Sequence, residues 1–187
     1  GNVLIIDLEN LADDKKKGIA EIYADELNVK TVIQKNKVSG ELRKPEKVNL
    51  LYGTETITEI SEYGIKYRLD LSEIMWSPGN TGWRSALAGP EKVNDFYSFD
   101  KPRTIIDYFA GIGYFALQMA RGYPKARIIA VDKNPKAIEY LTTNVKENNI
   151  ENVEIINDDC GYIVEKCEKD MSKHINLYIN NTEKLQE

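Results

Sequence analysis

IIDYFAGIGYFAL, residues 105–117, passes from apolar strand to glycine turn to apolar helix within thirteen residues. Ile105 and Ile106 suit a strand buried on both faces, as in a parallel sheet. Asp107 stands at its carboxyl end, and Gly111 and Gly113 let a backbone approach a ligand with no Cβ in the way. A helix is expected from Phe115 to Ala120. Ligands of open α/β sheets bind outside the carboxyl ends of the strands, so this turn marks a site for a nucleotide-like molecule.

The residues that follow narrow the ligand. RIIAVD, residues 127–132, reads as a second strand ending in an acid. Asp132 lies about twenty residues beyond the glycines, where a carboxylate accepts hydrogen bonds from ribose hydroxyls. A helix from about Pro135 to Asn148 leads to a third strand at 153–156, and then to Asp158 and Asp159, one of which falls near an adenine edge. The dinucleotide fingerprint G-x-G-x-x-G needs a third glycine where Ala116 stands. S-adenosyl-L-methionine is therefore the expected cofactor rather than NAD. Asp132 also suits a helix N-cap ahead of Pro135, and the two roles are compatible.

The chain has 187 residues and a net charge of −5, enough length for a Rossmann-like unit with a smaller domain. It has no apolar run of membrane length and no signal-peptide pattern at its start, so a soluble cytoplasmic protein is expected. Cys160 and Cys167, seven apart, with His174 as the one histidine, support neither a disulfide framework nor a metal site. His174 is expected near a strand start. The acidic balance argues against a surface that coats nucleic acid generally, yet six basic residues fall between Lys30 and Lys47 against Glu41 and Glu46. Lys35, Lys37, Arg43 and Lys44 form either a phosphate-contacting face or a solvated surface of alternating charge.

Short periodic segments fill the first part of the chain: a strand at 3–6, an amphipathic helix at 18–27, and strands near 30–36, 49–54, 56–61 and 65–71. The division expected is a small α+β domain over 1–75, a linking loop over 76–100 built around Pro78, Gly79, Asn80 and Gly82, and a cofactor domain over 101–187. Trp76 and Trp83 flank that loop, placed either to stack on a base or to be buried at a junction. Arg84 is a fixed charge suited to a carboxylate or a phosphate.

These stretches together resemble one family, the archaeal and eukaryotic tRNA guanosine N1-methyltransferases and their wybutosine-pathway relatives. The anchors are GNVLII at the start, residues 20–45, LLYG at 50–53, EYGIKYRLDLSEIMWSPGN at 62–80 and the glycine turn. IGYF at 112–115, the SPGN loop and LYINNTEKL at 177–185 are similar to the wybutosine branch. The resemblance implies an α/β fold: a class I S-adenosylmethionine-dependent transferase (Rossmann-like) domain preceded by a small α+β RNA-facing domain. Because the chain stops at Glu187, just after the fourth strand, it also implies a domain truncated there. The activity implied is transfer of the 3-amino-3-carboxypropyl group of S-adenosylmethionine to a tricyclic guanosine 3′ of the anticodon of tRNA-Phe, in an archaeal cell. The alternatives are guanosine N1-methylation, or a tRNA-binding module with a non-functional cofactor pocket.

Residue roles carry over by position. Gly111 and Gly113 with Tyr108 and Phe109 would surround the methionine part and ribose, Asp107 would close the strand beside them, and Asp132 would bind the ribose. Asp158 or Asp159 would take the adenine amine, Ser77 and Asn80 the amino-acid tail. Arg84 would steer a carboxylate or phosphate, and Asn181 and Thr182 would flank the target base. No protein nucleophile and no metal are implied, since every carbon on a sulfonium is electrophilic and orientation decides which one reacts. The chain departs from the family pattern at Trp83, where a Glu is usual, at Ala86, where a second Arg is usual, and at Leu177 in place of Gly.

Overall fold

The computed structural model describes residues 1–34, 37–42, 44–46, 48–76, 79–88, 104–161 and the strand Ile175–Tyr178. The chain divides into two compact units: Gly1–Ser61 with Tyr67–Ser77, and Glu62–Lys66 with Pro78–Glu187.

The first unit opens with β1 (Val3–Ile6), helix α1 (Asp13–Leu27) and β2 (Thr31–Gln34), and the two strands pair in parallel. Helix α1 begins five residues before the expected Gly18. Its first turn, Asp13 and Asp14 followed by three lysines, has no apolar periodicity, but its acids favour a helix amino end. Asn28 ends the helix in the left-handed conformation, at φ 49°. Two short strands, β3 (Val38–Ser39) and β4 (Lys44–Pro45), pair with each other, and β5 (Leu50–Tyr52) completes a sheet of order β1-β2-β5. Ala20 and Ala24 of α1 pack on Val32 and Leu51 of that sheet.

Strands β6 (Ile57–Glu62) and β7 (Ile65–Asp70) pair as a hairpin. Tyr63 at φ 48° and Gly64 at φ 81° supply the two left-handed residues that tight hairpin turns favour. Ile65, Tyr67 and Leu69 are buried while Lys66 and Arg68 are exposed, the alternation of a strand with one covered face.

The second unit continues with α2 (Thr81–Leu87), β8 (Thr104–Asp107), α3 (Ala116–Gly122), β9 (Arg127–Asp132), α4 (Pro135–Glu147), β10 (Val153–Asn157) and β11 (Ile175–Tyr178). Residues 81–87, expected within a loop, are helical. Gly82 disfavours a helix by about 1 kcal/mol, and the apolar burial of Leu87 and the pairing of Arg84 with Glu62 act against that penalty. The four strands are parallel in the order β10-β9-β8-β11. Strand order therefore reverses beside β8, and the crevice for a ligand opens at its carboxyl end, where the glycine turn lies. Ile106, Ile112, Leu117, Ile128, Val131 and Leu141 are fully buried. Each such side chain contributes about 1.5–3 kcal/mol of transfer free energy. None of the described helices is long and apolar enough to cross a membrane.

Candidate functional site

Strand β8 ends at Asp107, and the chain then turns through residues 108–115 into α3. Gly111 at φ 55° and Gly113 at φ 99° take conformations that side chains disfavour. The turn is tied on several sides. The Ala110 amide donates to the Val131 carbonyl at 2.9 Å, and the Gly111 amide donates to Oδ2 of Asp132 at 2.8 Å. The Gly113 and Tyr114 amides both donate to the Ala110 carbonyl. From α4, Nδ2 of Asn144 donates to the Ile112 carbonyl at 3.1 Å. Asp132 thus braces the turn with one oxygen while the other accepts the Asn134 amide at 2.8 Å. Each carboxylate oxygen has a second lone pair for a ligand hydroxyl. The N-cap of α4 is Asn134, whose side chain accepts from the Lys136 amide, so the capping role considered for Asp132 belongs two residues later.

Electrostatics single out Asp107. It is 1% exposed; Oδ1 accepts the Phe109 amide at 3.3 Å, and buried Oδ2 has no partner. Burial pushes its pKa up to about 7; the Phe109 and Ala116 amides pull it down, and neighbouring Asp132 pushes it up. Burial raises Asp132 as well, against the lowering pull of the Asn134 and Gly111 amides and Lys133.

In the unfolded chain Asp107 titrates near the usual aspartate value of about 3.9. Between that pH and about 7 the folded state keeps a proton that the unfolded state has released. Stability therefore falls as pH rises through this window and is level above it. Asp107→Asn is expected to remove a slope of up to about 1.4 kcal/mol per pH unit. Thermal unfolding should show the variant gaining on the wild type at pH 8 and not at pH 3.5.

The other expected residues are distributed as follows. Phe109 is 50% exposed beside the turn, whereas Tyr108 is buried with Ile106 and Val131. Asp158 is half-buried and Asp159 exposed at the end of β10, with Lys133 Nζ 3.7 Å from Asp159 Oδ2. Asn80 is half-buried just before α2. Arg84 is 1% exposed: its Nε donates to Glu62 Oε2 at 2.7 Å, and one terminal nitrogen donates to Glu62 Oε1 at 3.2 Å and Thr81 Oγ1 at 3.3 Å. The charge expected to steer a ligand is neutralised by a carboxylate within its own unit.

Of the two tryptophans, Trp83 is 57% exposed, and half-buried Trp76 lies 5.6 Å from the Tyr67 ring at a tilt of 57°. Lys37 and Lys44 are exposed about the β3–β4 hairpin. Lys35, Arg43, Ser77, Cys167, His174, Asn181 and Thr182 lie outside the described residues. Among the described residues no three His, Cys, Asp or Glu side chains are grouped to hold a metal ion. A groove of about 400 Å³, lined by Lys125, Arg127, Asn152 and Glu154 among others, lies at the amino ends of β9 and β10, away from the glycine turn.

Residues that sequence reasoning missed are Glu62, Gln118 and the asparagines of α4. The tip of the β6–β7 hairpin is held by side chains of its own unit. Gln118 donates to the Glu62 carbonyl at 2.9 Å and Arg121 to the Gly64 carbonyl. Asn148 both accepts from the Lys66 amide at 2.9 Å and donates to the Lys66 carbonyl at 2.7 Å. The one available signal was Asn144 inside the helix, because asparagine is a poor helix former and its place on an otherwise apolar face implies a tertiary partner.

A parallel sheet whose strand order reverses beside a glycine turn, with an acid ending the next strand, defines the class I Rossmann-like transferase fold. The chain belongs to the TRM5/TYW2 methyltransferase family, whose domain model matches residues 58–185, while a TYW2 N-terminal domain model matches residues 1–56. It is 40% identical over 151 residues to a tRNA(Phe) (4-demethylwyosine(37)-C(7)) aminocarboxypropyltransferase of Pyrococcus horikoshii, a match covering 81% of this chain and 51% of the relative. It is 32% identical over 159 residues to the tRNA (guanine(37)-N(1))-methyltransferase Trm5b of Pyrococcus abyssi, covering 82% of this chain and 44% of that one. Among solved structures it is similar to Pyrococcus horikoshii TYW2 in complex with MeSAdo, with a TM-score of 0.67 and 35% identity over 85% of this chain and 53% of the other. The chain spans about half the length of the curated relatives it matches.

Proposed function

We propose that the chain is the S-adenosylmethionine-binding part of a tRNA aminocarboxypropyl transferase of the wybutosine pathway, acting on the tricyclic guanosine of tRNA-Phe. The observation that carries this reading is the glycine turn braced by Asp132, on a chain whose first 56 residues match the TYW2 N-terminal domain. The identities support the same branch, at 40% and 37% for two relatives named as aminocarboxypropyltransferases against 32% and 30% for two named as Trm5b methyltransferases.

The site suits such a cofactor. Gly111 and Gly113 take the positive-φ conformations that shape the turn, Asp132 offers lone pairs for ribose hydroxyls, and buried Asp107 has an oxygen without a partner. The exposed ring of Phe109 and the carboxylates of Asp158 and Asp159 complete the set that would hold the adenosine and methionine portions. S-adenosylmethionine supplies an electrophilic carbon next to a positive sulfur. The chain's task is then to orient it so that the carboxypropyl carbon, rather than the methyl, lies in line with the nucleophilic carbon of the base. We assign the exposed lysines 37 and 44 to RNA phosphate, and a cytoplasmic location follows from the tRNA substrate.

Incubation with tRNA-Phe bearing the tricyclic base, using cofactor labelled separately in its methyl and carboxypropyl carbons, tests the reading. Carboxypropyl label in the RNA is expected. Methyl label on unmodified guanosine would assign the chain to the methyltransferase branch instead. Asp132→Ala is expected to weaken binding of S-adenosylhomocysteine by about 10–100-fold, a loss of about 1.4–2.8 kcal/mol, because it removes the ribose acceptor and unties the Gly111 amide. Titration calorimetry on the folded variant reads this directly.

A further inference from the structure

The glycine turn is surrounded by ties, and one of them comes from a side chain with no expected role. Asn144 lies in the middle of α4 and is 0% exposed. Asparagine is a poor helix former, and its amide is costly to remove from water unless it is hydrogen-bonded. Its Nδ2 donates to the carbonyl of Ile112, 32 residues away in sequence. Ile112 sits between two residues with positive φ, Gly111 and Gly113. Glycine populates both signs of φ with little penalty, so the Ile112–Gly113 peptide, which Gly113 borders on one side, has alternative orientations unless its polar groups are tied. The ties to Ala110 and Gly111 fix the entrance of the turn, and the Leu117 amide bonded to the Gly113 carbonyl fixes its exit. Of the Ile112–Gly113 peptide itself, the N–H donates to the Ala110 carbonyl at 2.8 Å, and among the described residues Asn144 holds the carbonyl.

We propose that Asn144 is a positioning residue for the cofactor turn: its buried amide, together with the Ala110 carbonyl, locks the orientation of the Ile112–Gly113 peptide, and with it the shape of the turn that receives the ribose and methionine portion. This rests on the reading of the turn as the S-adenosylmethionine site. Asn144 touches no ligand; it acts through the backbone. Asn148, which caps α4 one turn further on, is the natural comparison, because its amide pairs with the backbone of Lys66 and of Asn144 and not with the glycine turn.

The test compares Asn144→Ala and Asn144→Ser with Asn148→Ala in the whole chain. Thermal unfolding reports folding, calorimetry with S-adenosylhomocysteine reports affinity, and hydrogen exchange reports the Gly113 and Tyr114 amides without ligand. Both Asn144 variants are expected to weaken S-adenosylhomocysteine by about tenfold or more, while Asn148→Ala stays within about twofold even where it lowers the unfolding temperature as much. Exchange at Gly113 and Tyr114 is expected to accelerate in the Asn144 variants alone. Wild-type affinity and protection in folded Asn144→Ser would overturn the proposal, as would equal losses in the Asn148 variant. If the wild type itself fails to bind S-adenosylhomocysteine, the cofactor reading falls. The exchange comparison then still decides whether Asn144 holds the turn.

Discussion

Gly113→Ala is expected to abolish binding of S-adenosylhomocysteine and to destabilise the chain by about 2–6 kcal/mol, the sum of backbone strain and overpacking. The strain arises because Gly113 has φ 99°, a conformation that L side chains rarely adopt. The overpacking arises because a Cβ at this position would lie 2.6 Å from Leu117 Cγ and 2.8 Å from Leu141 Cδ1, both side chains fully buried. Relief requires the buried leucines or the turn itself to shift, and a shift of the turn carries the Asp132 and Asn144 ties with it. Against a typical domain stability of about 5–15 kcal/mol, such a loss is a large fraction of the whole. Urea unfolding checks the stability term and calorimetry the binding term. Gly82 provides the control, since an added Cβ there meets nothing within 4 Å and the residue lies in helix α2. Gly82→Ala should leave binding intact and raise stability by up to about 1 kcal/mol.

Arg84→Met is expected to cost about 3–5 kcal/mol, the usual penalty for removing one partner of a buried ion pair. The side chains of Arg84 and Glu62 are 2% and 18% exposed, and two guanidinium nitrogens engage the two carboxylate oxygens. Once the arginine is gone, Glu62 keeps its charge with little water to solvate it. The residual exposure of Glu62 places the expected cost at the lower end of that range. The double variant Arg84→Met with Glu62→Leu should recover most of the loss, because an apolar pair of similar volume avoids desolvating two charges. Chemical denaturation of both single variants and the double variant closes the cycle. The same proteins test the role assigned to Arg84 by resemblance. An anchor leaves the S-adenosylhomocysteine affinity of the folded double variant unchanged, whereas a ligand-steering charge does not.

The glycine turn, the strands Arg127–Asp132 and Val153–Asn157 and the helix beginning at Pro135 were legible because each rests on local chemistry. The strands are apolar runs closed by Asp or Asn, and Asn134-Pro135 is a strong helix start. Helix α2 was not legible, because Pro78, Gly79, Asn80 and Gly82 read as a loop and the stabilising contact of Arg84 comes from 22 residues upstream. The first turn of α1 was hidden for a different reason: its residues are all charged, and periodicity needs apolar positions. Within the site, Asp132 was legible by its spacing from the glycines. Asn144 was not, since a hydrogen bond across 32 residues leaves no local pattern. Sequence also treated Tyr108 and Phe109 alike, although one packs into the core and the other faces out, because the rotation of the chain as it leaves β8 is set by the turn.

The hairpin tip bears on how this chain can be cut. Residues Glu62–Lys66 lie fifteen or more positions ahead of Thr81, the start of α2, yet they form part of the same compact unit as the Rossmann-like sheet. Gln118, Arg121 and Asn148 hold the tip by its backbone, and Arg84 holds it through Glu62. A fragment beginning at Pro78 would leave two cations, Arg84 and Arg121, and two side-chain amides, Gln118 and Asn148, without the partners the tip supplies. The matched family domain begins at residue 58, ahead of the tip, which keeps Glu62–Lys66 with the sheet. The tip is thus a piece of upstream chain that the sheet's own unit depends on, and a graft between relatives should keep Glu62–Lys66 from the same parent as that sheet rather than be joined in the linker that precedes α2.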